Sequence, residues 1–235
     1  MGLKEVIEDY CRWFEKKLEF VNQTDDEEIK ILICYSLLES LTRCLYPYKI
    51  HKERIIITLE QFSDTETWTR VSIYKMLKDE RYQSIKQFVK ADNYFNNKIR
   101  WVVQDSKTVD CFVDPTIFTI ENEIKGFNSL DGLRELCEQY KYSSIFYREY
   151  LYDLVRESKI LHEFVSDYRY DRPYYANYKD RGDKSSYNKH LIIPAAFIVN
   201  SISAINKNVN KWFIKEKINP CSRTSNHLRP ALGIL

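Results

Sequence analysis

From Leu3 to Val21 the apolar positions are Leu3, Val6, Ile7, Tyr10, Phe14, Leu18 and Val21, with Lys and Glu between them. Steps of three and four place these side chains on one side of a helix. The polar run Asn22-Gln23-Thr24-Asp25 breaks the pattern and offers an N-cap, and Glu27 and Glu28 follow where a helix dipole favours anions. A second helix is expected to run to about Leu45 and stop near Pro47. Its stretch from Ile29 to Cys34 is apolar on more than one face, which predicts a central place. In residues 51–63 the β-branched Ile55, Ile56 and Ile57 suit a strand. Ile55, Ile56, Leu59 and Phe62 also fit a helical stripe, and a lone strand has no evident partner, so a helix is expected. Trp68 to Lys78 reads as a turn and a short helix capped by Ser72. Residues 82–104 read as one or two helices ending in Trp101-Val102-Val103, and 105–119, with Asp114-Pro115, as irregular or briefly extended. Helical spacing returns from Leu130 through SSIFYREYLYDLVRESKILHEF. Residues 165–190 hold six Tyr, six Lys or Arg, four Asp, Pro173 and Gly182 without apolar periodicity, which predicts a long surface loop. A last helix is expected from Ile193 to Lys217, opened by Pro194 and ended by Asn219-Pro220.

The pattern therefore predicts an all-α fold: one helical domain over residues 1–220, with an inserted helical lobe at about 51–128 and a tail at 221–235. Composition agrees. Glycine numbers only 5 in 235 residues, against an average usage of about 7%. Hairpins and phosphate-cradling loops need Gly at positive φ, and neither the Rossmann nor the P-loop glycine pattern occurs. With 36 basic and 34 acidic residues the net charge is +2, so a polyanion site must come from local clustering. The six cysteines, Cys11, Cys34, Cys44, Cys111, Cys137 and Cys221, form no C-x-x-C pair and no zinc ligand set, and no metal ligands are assigned. Free buried thiols, no signal peptide and no apolar run long enough for a bilayer predict a cytoplasmic protein without a membrane partner. The aromatic fraction is 14%, with 18 Tyr, a residue suited to half-buried positions, interfaces and base stacking alike.

Arg156-Glu157-Ser158-Lys159-Ile160-Leu161-His162 stands at the end of a strongly helical segment, before the tyrosine-rich stretch and the last helix. This order resembles the HEPN superfamily, whose signature is an Arg, four to six residues, and a His. Here five intervene. The helical pair containing Cys34-Tyr35-Ser36-Leu37-Leu38-Glu39-Ser40-Leu41, the ending His162-Glu163-Phe164 and the stretch Asn219-Pro220-Cys221-Ser222 are also similar to small bacterial HEPN-like proteins. The resemblance covers chiefly 1–48 and 143–222. It implies a HEPN-like helical bundle, usually a homodimer, and a metal-independent endoribonuclease that needs no cofactor. It also implies a setting in toxin–antitoxin or antiviral defence, with an antitoxin or other regulatory partner. Two departures stand out: Glu157 follows the Arg where active members often carry a small polar residue, and Phe164 replaces a Tyr found in some toxins.

The residue types suit the chemistry. RNA is cut without metal when its own 2′-OH attacks the adjacent phosphorus, which calls for a base, an acid and a cation. Histidine exchanges protons near neutral pH, and arginine offers a fixed fork of donors to the phosphorane. One pair is too few for both proton transfers, whereas two copies across a twofold axis supply enough. On an ideal helix six steps of about 100° leave Arg156 and His162 roughly 120° apart, so the helix must end or distort for them to converge. Arg156 and His162 are thus the expected catalytic residues. Glu157 is their expected orienting acid, and Glu39 and Arg43, one turn apart, a supporting pair. Arg169, Arg172, Tyr174 and Tyr175 are expected to hold single-stranded RNA by phosphate pairing and base stacking. The competing expectation is a catalytically silent HEPN-like module that binds RNA, a partner protein or a nucleotide-derived signal.

Overall fold

A computed structural model describes residues 2–85, 93–99, 109–110, 113–124, 126–127, 130, 132–152, 171–179 and 187–222. In chain order the elements are α1 Leu3–Gln23, α2 Glu27–Leu45, α3 His51–Phe62, a 3₁₀ turn Glu66–Thr69, α4 Ile73–Leu77 and α5 Glu80–Ile85. There follow α6 at 93–99, β1 Val109–Asp110, α7 Ile117–Glu123, α8 Leu133–Gln139 and α9 Tyr142–Ile145. A π-helical stretch, Phe146–Tyr152, continues α9, and β2 Tyr174–Lys179, β3 Tyr187–Ile192 and α10 Ala195–Glu216 complete the fold. The protein is predominantly helical. The chain divides into two compact units: Met1–Thr65 with Ala195–Leu235, and Glu66–Pro194. α3 packs with α2 and α10 within the first unit. In the expected tail, residues 220–222 continue in a helical turn, and 223–235 lie outside the described residues.

The first unit is a packing of α1, α2, α3 and α10. α1 buries Ile7, Cys11, Phe14, Leu18 and Val21 at helical spacing. α2 buries Ile31, Cys34, Leu37, Leu38, Leu41, Cys44 and Leu45. Its N-cap is Asp26, one residue beyond the stretch expected to supply it, and the carboxylate takes the amides of Glu28 (2.9 Å) and Ile29 (3.1 Å). α3 forms over the isoleucine run as expected, and α10 packs on all three other helices. Buried Asn206 donates to the Cys11 carbonyl at 3.1 Å, tying α10 to α1. Asn208 donates to the Phe62 carbonyl and to Asp64, whose φ of 57° ends α3 in the left-handed region. Burial pushes the Cys11 and Cys34 thiols up to about 12, which keeps them protonated.

The second unit surrounds Val71, Ile73, Met76, Tyr82, Phe95, Ile117, Ile120, Phe127, Leu133 and Leu136. Ser72 caps α4 as expected, accepting from the Lys75 amide. Residues 70–72 are zipped on both sides: Val71 donates to Pro115, Ser72 to Tyr140, and Tyr142 donates back to Arg70. The expected long loop at 165–190 is in part an antiparallel ribbon, with Tyr174 opposite Ile192 and Tyr175 opposite Leu191. β1 pairs with β2 along its other edge. Among the described residues no helix is long and apolar enough to cross a membrane, and no cluster of His, Cys, Asp and Glu has a metal-holding arrangement.

Candidate functional site

Glu39 lies on α2 one turn from both Tyr35 and Arg43, with its side chain 15% exposed. Its Oε1 accepts from Arg43 Nε at 2.6 Å and from Arg54 Nη2 of α3 at 3.0 Å. His51, at the start of α3, brings Nε2 to 2.6 Å from Glu39 Oε2 and 3.2 Å from the Tyr35 hydroxyl. The Oε2 atom is buried and meets the imidazole at ion-pair distance but off the line of a hydrogen bond. Arg54 also donates through Nη1 to the Lys49 carbonyl at 3.1 Å, which fixes the connection between the two helices. Two guanidinium groups and one imidazole thus share a single carboxylate, leaving an excess of positive charge in fixed positions. Of these residues the sequence singled out only the pair Glu39 and Arg43. His51 and Arg54 carried no signal of their own. The usable signal was a His/Arg pair at i, i+3 immediately across a short Pro-containing turn from a Glu/Arg pair at i, i+4.

Arg156, Glu157, His162 and Arg169 lie outside the described residues. The π-helical stretch ends at Tyr152, shortly before the motif, and β2 begins at Tyr174 beyond it. Arg172 is exposed and pairs with Asp171 at 3.4 Å. Tyr174 and Tyr175 are both buried on β2.

Tyr175 instead joins a buried polar cluster that the sequence did not announce. Its hydroxyl donates to Asp114 Oδ2 and meets the Ser72 hydroxyl at 2.8 Å. Tyr142 donates to the same Oδ2 at 2.8 Å, and the Ile73 amide donates to Oδ1 at 3.2 Å. Burial pushes the Asp114 carboxyl up to about 7, against the downward pull of the two phenols, the amide and nearby Arg70. Nearby, Tyr150 of the π stretch accepts from the Ile193 amide at 2.8 Å and donates to the Leu191 carbonyl at 3.4 Å. These groups join the last described turn before Arg156 to the β-ribbon that follows His162. Comparison with known protein families, curated proteins and solved structures found no match to this chain.

Proposed function

We propose that this protein is a metal-independent endoribonuclease of the HEPN type, acting on single-stranded RNA as a homodimer. The sequence Arg156-x5-His162 carries the reading, and the predominantly helical architecture supports it. In the reaction a His162 imidazole takes the 2′-OH proton while the oxygen forms a bond to phosphorus. The P–O5′ bond breaks, and a protonated His162 of the second copy gives O5′ its proton. The products are a 2′,3′-cyclic phosphate and a 5′-OH end. Arg156 pairs with the phosphate oxygens, whose charge rises in the transition state, and Glu157 orients one of the two. Glu39 and Arg43 belong to a cationic cluster that favours a polyanion such as RNA.

A second copy also has an unpaired surface to use. Leu3, Val6, Trp13, Lys17 and Phe20 lie along one side of α1 beside the face that it buries, while Tyr10 between them packs inward on Cys44, Phe14 and Phe213. Trp13 is 49% and Phe20 57% exposed. In an antiparallel pair Lys17 faces Val6 and Asp9 lies near Lys16, whereas a parallel pair sets Lys17 against its own copy.

The test is cleavage of labelled single-stranded RNA in EDTA by the wild type, His162→Ala and Arg156→Ala. The wild type is expected to leave cyclic-phosphate ends, with each substitution slowing cleavage by at least about 100-fold. Equal cleavage by all three sinks the assignment. A folded wild type that binds RNA without cutting it would instead mark a silent binding module.

A further inference from the structure

The connection between α2 and α3 puts an aromatic ring in solvent amid basic residues. Tyr48 is 94% exposed, and Ile50 beside it 65%. The short turn that carries them is fixed by Arg54 on the Lys49 carbonyl and by a Lys49 amide bond to Tyr46. Between residues 39 and 54 the cations Arg43, Lys49, Lys52 and Arg54 face only Glu39 and Glu53, an excess of two that equals the charge of the whole chain. Arg43 spends its Nε on Glu39, and its side chain is 64% exposed. Both Nη groups make no contact among the described residues, so the outer edge of the fork is open. At the start of α3, Lys52 is exposed beside Glu53, and His51 already lies against the Glu39 carboxylate.

Resting on the reading of this protein as RNA-directed, we infer that the α2–α3 corner is a platform for single-stranded RNA. A base stacks on Tyr48, and the flanking phosphates pair with Arg43, Lys49 and Lys52. Glu39 is a positioning residue: it holds Arg43 by one edge and neutralises the inner Arg54, so the outward-facing cations are pre-set. An aromatic face with cations around it recognises a single strand without regard to sequence, since every base has a face to stack and every nucleotide a phosphate. A flexible strand is the fitting partner because a base in a duplex is already stacked and cannot reach the ring.

The test uses the full chain carrying His162→Ala, so that RNA is bound and not consumed, and reads fluorescence anisotropy of a labelled single-stranded oligoribonucleotide. Tyr48→Ala is expected to weaken binding about 10-fold, and Tyr48→Phe to retain it. Lys49→Ala and Lys52→Ala each lower the slope of log affinity against log salt by about 0.7. Glu39→Gln weakens binding although it removes a negative charge, which a purely electrostatic patch would not do. Binding by Tyr48→Ala, Lys49→Ala and Lys52→Ala equal to the parent's overturns the platform while leaving the nuclease reading intact. A parent chain that binds no RNA overturns both. Tyr48, Lys49 and Lys52 are exposed, so those variants fold as the parent does; Glu39 is largely buried, and circular dichroism checks that Glu39→Gln keeps the parent's fold.

Discussion

Asp114 is 1% exposed and meets two phenols and one amide. A carboxylate so deeply buried loses its hydration, and the three donors replace only part of it. Its proton is therefore held to about pH 7 in the folded protein, and to roughly 3.9 in the unfolded chain. Between these values the folded state carries one proton more than the unfolded, so unfolding releases it and stability falls as pH rises from about 4 to 7. Below that window the contribution is fully present, and above it the loss is complete. Asp114→Asn keeps the shape and removes the titration. The expected outcome is a urea midpoint that declines less steeply across this window than the wild type's. An unchanged slope contradicts the assignment. Tyr142→Phe gives a second check: with one donor to the carboxylate gone, the window extends to higher pH. The cluster is also where Tyr175, expected from the sequence beside RNA, is found. A tyrosine beside basic residues reads as a stacking surface until the register of β2 places it beside a buried acid.

α1 carries two lengthwise stripes, and only one is satisfied inside the protein. Ile7, Cys11, Phe14, Leu18 and Val21 are buried, while Trp13 and Phe20 remain in solvent on the other. If the second stripe is the seam of the dimer, Trp13→Glu should shift the protein toward monomer in analytical ultracentrifugation with its helical content unchanged. Identical sedimentation would remove α1 from the interface. This helix also shows what was legible in the chain. α1, α2, α3 and α10 follow from apolar spacing because each presents a long face to a common core. The β-ribbon did not follow, since Tyr174 and Tyr175 are adjacent and both buried, which breaks the alternation that marks a strand. The second unit was blurred because α4, α5, α8 and α9 are too short to show a period. At the site, Glu39 and Arg43 were visible as neighbours on one helix. His51 and Arg54 were not, because their arrival depends on how the turn at Pro47 closes, and that is a property of packing rather than of spacing.

At the scale of the molecule, the first unit is assembled from both ends of the chain, with the second inserted between them. α10 supplies Phe197, Ile198, Val199, Ile202, Ile205, Val209 and Phe213 to the core it shares with α1, α2 and α3. Seven such side chains, at roughly 1.5–3 kcal/mol each, stand for more than 10 kcal/mol of gross burial. That is comparable to the whole net stability of an ordinary domain, about 5–15 kcal/mol. A chain cut after Pro194 should therefore lose the first unit as a cooperative structure, including the carboxylate cluster at Glu39. The second unit keeps Val71, Met76, Tyr82, Ile120 and Leu136 around its own centre and loses none of these. Hydrogen exchange read by mass spectrometry separates the two: protection should vanish across α1, α2 and α3 and persist across α4, α7 and α8. Trp68, buried in the second unit, should retain its folded fluorescence. Protection retained in α1 to α3 would mean that those three helices hold together without the face that α10 covers. Loss in both units would mean that the insertion depends on the helices that flank it, and the RNA platform and the nuclease motif would then stand or fall as one cooperative body.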